Sequence, residues 1–209
     1  MKKILLLAGI FSLAASGAIA ADYSPYVSAK LRFAFMKNDA KVTFKDAVYK
    51  YQAKWDVDDE VFGGSIAAGL NIPLVENSLR AELEYNHNGD AKKTYYGSQT
   101  KVETQALLLN AYYQFDVEAK LKPYISAGIG GAKIKGSVES ESVSKNSFAW
   151  QIGLGTSYEI NQNVAVDGGY RYVSYGKLDK TSNTDLGYPE KDTVESKAHE
   201  LYLGLRYNF

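Results

Sequence analysis

The chain has 209 residues, with 24 Lys+Arg against 24 Asp+Glu, 18 Gly, 17 Tyr, two His and no Cys. That length suits one domain, since all-β domains often exceed the usual ~100–150 residues. Zero net charge argues against a nucleic-acid partner, and the lack of Cys excludes disulfides, thiolate zinc sites, a Cys nucleophile and acylation at a Cys.

Residues 1–20 read as a secretory signal peptide. Lys2 and Lys3 form the basic start, Ile4 to Ala15 the apolar run, and Ala18-Ile19-Ala20 the cleavage site. The run is shorter than the ~20 residues a spanning helix needs. Cleavage is expected after Ala20 or Ala21, which leaves 21–209 as one domain with 22 basic and 24 acidic residues. The mean hydropathy of −0.28 reads as soluble. That average hides a strict alternation, which is the mark of strands with two unlike faces.

Val27, Ala29, Leu31, Phe33 and Phe35 alternate with Ser28, Lys30, Arg32 and Ala34. Phe62, Ile66, Ala68, Leu70 and Ile72 share one face of a second segment, and Leu79, Ala81, Leu83 and Tyr85 one face of a third. Leu107, Leu109, Ala111, Tyr113 and Phe115 follow, then Ile125, Ala127 and Ile129, then Phe148, Trp150, Ile152 and Leu154. Val164, Val166, Tyr170 and Tyr172 oppose Ala165, Asp167 and Arg171, and Leu201, Leu203, Leu205, Tyr207 and Phe209 oppose Glu200, Tyr202, Gly204 and Arg206. These make eight strands of roughly 10–13 residues, enough for tilted transmembrane strands of about 9–11.

Connections alternate in length. Residues 37–60, 88–101, 133–147 and 176–196 read as long polar loops, and residues 73–77, 116–121 and 161–163 as short turns. No Pro falls at a strand centre. In lipid an open sheet edge would leave backbone groups unsatisfied, so the sheet must close. The expected fold is all-β: an eight-stranded antiparallel up-and-down transmembrane β-barrel, apolar face outward, with aromatic girdles near both strand ends. The alternative is a soluble barrel of lipocalin type with its apolar face inward.

The opposite face carries Lys30, Arg32, Arg80, Arg171 and Arg206 against Glu82, Glu84, Glu159, Asp167 and Glu200. Eight strands leave room only for side chains, so these five bases and five acids are expected to pair as a plug; a narrow gated pore is the second reading. A third is a lipid-modifying enzyme with His87 or His199 as base, near Asp90, Glu195 and Ser196 in sequence. No cofactor motif or metal-ligand spacing is present in the sequence. Residues 37–60 contain two β-prone runs, 42–44 and 48–51, that could rise as a hairpin. Within residues 37–60, Tyr49, Tyr51 and Trp55 are candidate contact residues for a host-surface ligand. Lys92, Lys93 and Lys101 are candidates for lipopolysaccharide phosphates.

Pro123-Tyr124-Ile125-Ser126-Ala127-Gly128-Ile129-Gly130, Phe148-Ala149-Trp150-Gln151-Ile152-Gly153-Leu154-Gly155, Asp167-Gly168-Gly169-Tyr170-Arg171-Tyr172 and Leu203-Gly204-Leu205-Arg206-Tyr207-Asn208-Phe209 resemble the last four strands of the opacity-protein family of Gram-negative outer-membrane barrels. The resemblance implies eight strands, four surface loops, and a structural or adhesive role at the cell surface; a low-conductance porin is the alternative it leaves. It implies outer-membrane lipid and lipopolysaccharide as surroundings. Leu203, Leu205, Tyr207 and Phe209 are similar to the signal read by the barrel assembly machinery. No peptidoglycan-binding domain is expected after the last strand.

Overall fold

The computed structural model describes residues 23–45, 50–95, 98–138, 141–183 and 189–209. Residues 1–20, read from the sequence as a signal peptide, and Tyr49 lie outside them. Eight strands follow in chain order: β1 (Ser24–Lys45), β2 (Lys50–Pro73), β3 (Asn77–Tyr95), β4 (Ser98–Phe115), β5 (Leu121–Val138), β6 (Glu141–Glu159), β7 (Val164–Asn183) and β8 (Pro189–Asn208). Each pairs antiparallel with its neighbour in sequence, and β1 pairs with β8, so the sheet closes into an up-and-down barrel. Closure runs from Tyr26 opposite Asn208 to Phe44 opposite Glu190, and Phe209 N–H donates to Pro25 C=O at 3.0 Å.

The end carrying the connections at 74–76, 116–120 and 160–163 is called the turn end here. These turns are tied by local bonds. Leu74 N–H donates to Asn77 C=O at 2.8 Å, and Asn161 Oδ1 accepts from the backbone N–H of Asn163 and Val164 at 2.9 and 2.8 Å.

The strands have 18 to 24 residues, well beyond the 10–13 expected, and most of the four expected loops is strand. In β1 and β2 the pairing continues to Lys45 opposite Lys50, as the β-prone runs suggested for that hairpin. Likewise β5 and β6 pair out to Val138 opposite Glu141, and β7 and β8 out to Asn183 opposite Pro189. The physical reason is that backbone pairing does not need lipid. Where neither face is buried in a membrane, the apolar–polar contrast fades from the sequence while the hydrogen-bond ladder goes on.

Two irregularities bend the ladder at the loop end. The β3–β4 register shifts between Asn88 and Ala91, and the β7–β8 register between Ser174 and Gly176. Gly176 has φ of 91°, and a Cβ there would lie 2.6 Å from the Phe148 carbonyl oxygen. Only glycine accepts both constraints, which is the signature of a bulge.

The two faces are unlike in the sense the alternation implies. Leu31, Ile129, Ile152, Leu154, Leu203 and Leu205 point outward and are exposed. Lys30, Arg32, Arg80, Glu82, Glu84, Asp167, Arg171, Glu200 and Arg206 point inward and are buried.

Candidate functional site

The lumen is filled in layers. Nearest the turn end, Asp167 on β7 accepts from Arg80 Nη1 on β3 and from Arg206 Nε on β8, both at 3.1 Å. Arg206 Nη2 also donates to Ser157 Oγ at 2.8 Å. The Arg80 guanidinium stands over the rings of Tyr112 and Tyr124, 4.6 and 4.9 Å from their centroids.

One layer higher, Glu82 collects four donors. Lys30 Nζ approaches to 2.5 Å, Tyr112 Oη to 2.9 Å, Tyr26 Oη to 3.1 Å and Ser28 Oγ to 3.3 Å. Tyr124 and Tyr202 bond through their hydroxyls at 2.8 Å. Above them Arg171 spans two carboxylates. Its Nη1 lies 3.0 Å from Glu84 Oε2 and its Nε 2.8 Å from Glu200 Oε2. Arg32 Nη1 reaches the same Glu200 at 3.1 Å, and Tyr175 Oη donates to Glu200 Oε1 at 2.5 Å. A buried carboxylate left with one partner would be costly, so several donors on each acid are the condition for its burial.

At the loop end the lumen is closed differently. Met36, Val61, Leu108, Ile134, Val173 and Tyr175, with small Ala residues between them, form an apolar cluster. These positions share the inward parity with the charges below, so alternation alone marked that face as polar throughout. The signal that separates the layers is position along the strand: the members of this cluster lie toward the loop end of their strands.

Nine of the ten inward charges expected from the sequence meet in this network. Glu159 is the correction. It has the right parity but is the last residue of β6, past the rim, with its side chain 47 % exposed, and it pairs with Lys122 at 3.4 Å. Parity tells which way a side chain points and not whether the barrel still surrounds it. Of the loop candidates, Tyr51 and Trp55 stand on the β2 backbone opposite Phe44 and Ala40.

The two histidines stand on the outer face. His199 Nδ1 lies 2.6 Å from Tyr170 Oη, and His87 Nδ1 is 3.9 Å from Glu103 Oε1. Ser196, which the sequence puts near His199, is buried on the opposite, inward face. Leu203, Leu205, Tyr207 and Phe209 share the outward face of the β8 end.

Charges inside and leucines outside invert a water-soluble barrel, and only a lipid solvent makes that arrangement favourable. The class is therefore the outer-membrane β-barrel rather than a lipocalin-like one. The chain belongs to the outer membrane protein beta-barrel domain family, which matches residues 4–209. It resides in the outer membrane of a Gram-negative bacterium.

Among its relatives is outer membrane protein PagN of Salmonella typhimurium, 30% identical over 176 residues, covering 71% of this chain and 73% of PagN. RC1281 of Rickettsia conorii, named as a candidate adhesin, is 29% identical over 170 residues, covering 70% of this chain and 67% of its own. Opacity proteins of Neisseria gonorrhoeae match at 23–26% identity. The fold is shared with Neisserial surface protein A, at a TM-score of 0.62 and 21% identity, over 90% of this chain and all of that one.

Proposed function

We propose that this barrel is a non-enzymatic surface protein that makes contact with a host-surface ligand through its hairpins, in the manner of an adhesin. The observation that supports this reading is the closed interior. Among the described residues, ion pairs occupy the lumen at one level and apolar side chains at the next, which argues against an aqueous channel. Lipid occupies the outer face, so the paired extensions beyond the membrane are what remains to present varied chemistry. Relatives named as opacity proteins and as a candidate adhesin point the same way.

In this reading residues 1–20 are removed on export. Leu203, Leu205, Tyr207 and Phe209 serve the barrel assembly machinery, and the outward basic side chains meet lipopolysaccharide. The β1–β2 hairpin, with Tyr49, Tyr51 and Trp55, is the main contact element, because large rigid aromatics dominate interface energy.

The test uses the register. Replacing residues 40–55 by Asn-Gly removes Tyr49, Tyr51 and Trp55 and closes the hairpin at the Asp39–Asp56 pair with a two-residue turn. The expected result is normal membrane insertion and heat-modifiable gel migration with loss of adhesion to host cells. Unchanged adhesion would overturn the assignment to this hairpin, and stable ionic conductance of the purified protein would replace it with a pore.

A further inference from the structure

The outward face changes character at one level on β4, β5 and β6. Leu107, Gly131 and Phe148 stand side by side in the register, and all three are exposed. One outward row nearer the loop end the set is Gln105, Lys133 and Asn146, and the next is Glu103, Lys135 and Ser144. Three adjacent strands thus pass from apolar to polar in a single step. In an outer-membrane barrel that step marks the edge of the hydrocarbon, and the first polar row lies among the lipid headgroups.

Lys133 and Lys135 are exposed, and among the described residues neither has a carboxylate partner. The acid in these rows is turned away from them. Glu103 Oε1 accepts from Gln105 Nε2 at 2.7 Å and lies 3.9 Å from His87 Nδ1 on β3, the strand on the far side of β4. Across the barrel the outward cation Lys197 is instead neutralised, 3.2 Å from Glu195 and 3.7 Å from Asp39. Successive outward residues of a strand are about 7 Å apart, so two ammonium groups on long stems can close on one phosphate. Directly below them Gly131 carries no side chain, and a Cβ there would meet only the Ser147 carbonyl oxygen, at 3.9 Å. The apolar row is therefore notched between Leu107 and Phe148, on the side open to lipid.

We propose that this face of β5 holds a lipopolysaccharide headgroup, its phosphate on Lys133 and Lys135 and an acyl chain in the notch at Gly131. The proposal rests on the reading that outward basic side chains meet lipopolysaccharide, and it assigns that contact to two lysines. Each ammonium gives the phosphate a charge-assisted hydrogen bond, and no nearby carboxylate competes for it.

The test titrates the purified barrel in dodecyl maltoside with lipopolysaccharide, with its dephosphorylated form and with phosphatidylglycerol. Wild type should bind the first at least roughly tenfold more tightly than the other two. Lys133→Gln with Lys135→Gln should weaken lipopolysaccharide binding by about 10–30-fold, the loss expected for two cations at a lipid surface. Lys37→Gln with Lys177→Gln removes two exposed lysines from β1 and β7 and should leave binding nearly unchanged. Gly131→Leu fills the notch and should also weaken binding. All these substitutions are on the outer surface, and heat-modifiable gel migration checks that each variant folds. Equal losses in the two lysine pairs, or equal binding of phosphatidylglycerol, would overturn the site and leave a diffuse charge contact with lipopolysaccharide. Unchanged affinity in Gly131→Leu would overturn the placement of the acyl chain. Equal binding of the phosphorylated and dephosphorylated forms by wild type would overturn the underlying reading as well.

Discussion

Arg171 and Glu84 stand on opposite walls of the barrel, on β7 and β3, and meet across its axis with Nη1 3.0 Å from Oε2. A single side chain thus ties together strands that share no backbone hydrogen bond. The same guanidinium holds Glu200 on the adjacent β8.

Arg171→Met removes both contacts and leaves three buried carboxylates, Glu82, Glu84 and Glu200, sharing Lys30 and Arg32. The expected cost is about 3–5 kcal/mol, the range for breaking a buried pair by deleting one partner. Urea unfolding in lipid measures it. Arg171→Lys should recover only part, because one ammonium cannot hold the two-sided geometry that Nε and Nη1 provide.

The corrected position of Glu159 gives a paired comparison. Glu159→Gln is expected to change stability by less than about 1 kcal/mol, as for an exposed ion pair. Glu84→Gln, by contrast, leaves Arg171 and Lys30 short of a charge in the closed lumen and should approach the cost of Arg171→Met. Equal effects in the two variants would show that Glu159 belongs with the lumen after all.

The outward face yields a third expectation. Ile152→Arg and Leu203→Arg place a cation among exposed leucines and isoleucines at mid-strand. Each should cost about 2–4 kcal/mol where the strand crosses the bilayer midplane. Gly153→Ala, the neighbour on the inner face, should fail for another reason. Its Cβ would lie 2.8 Å from both the Tyr170 carbonyl oxygen and Arg171 Cβ. Comparing unfolding in lipid for the three variants separates loss of solvation from steric clash.

Closure of the lumen can be read electrically. Purified protein in planar bilayers should give no conductance steps of the size seen for water-filled barrels of about 16–18 strands. Leu108→Ala with Val173→Ala thins the apolar cluster and leaves every lumen charge paired as before. This double variant should still not conduct, because the Arg171–Glu84 and Arg32–Glu200 layers lie beneath it. Conductance in this variant alone would make the apolar cluster the seal.

The sequence by itself determined the strand number, the two faces and the closed topology, since period-two alternation is a local property and lipid forbids an open edge. The motifs from Pro123 onward also carried the family. Tertiary structure decided what happens at the strand ends and inside the barrel. Parity assigned Glu159 to the lumen, yet the wall ends before it can be enclosed. Parity likewise could not show that Met36, Leu108 and Val173 form an apolar layer above the charges. Layers are made of residues from different strands at one height, and height depends on register and tilt. The β-prone runs at 42–44 and 48–51 suggested the first long hairpin, but the others escaped notice for a related reason. Outside the membrane both faces meet water, so the pattern that marks a strand is lost even though the backbone continues to pair.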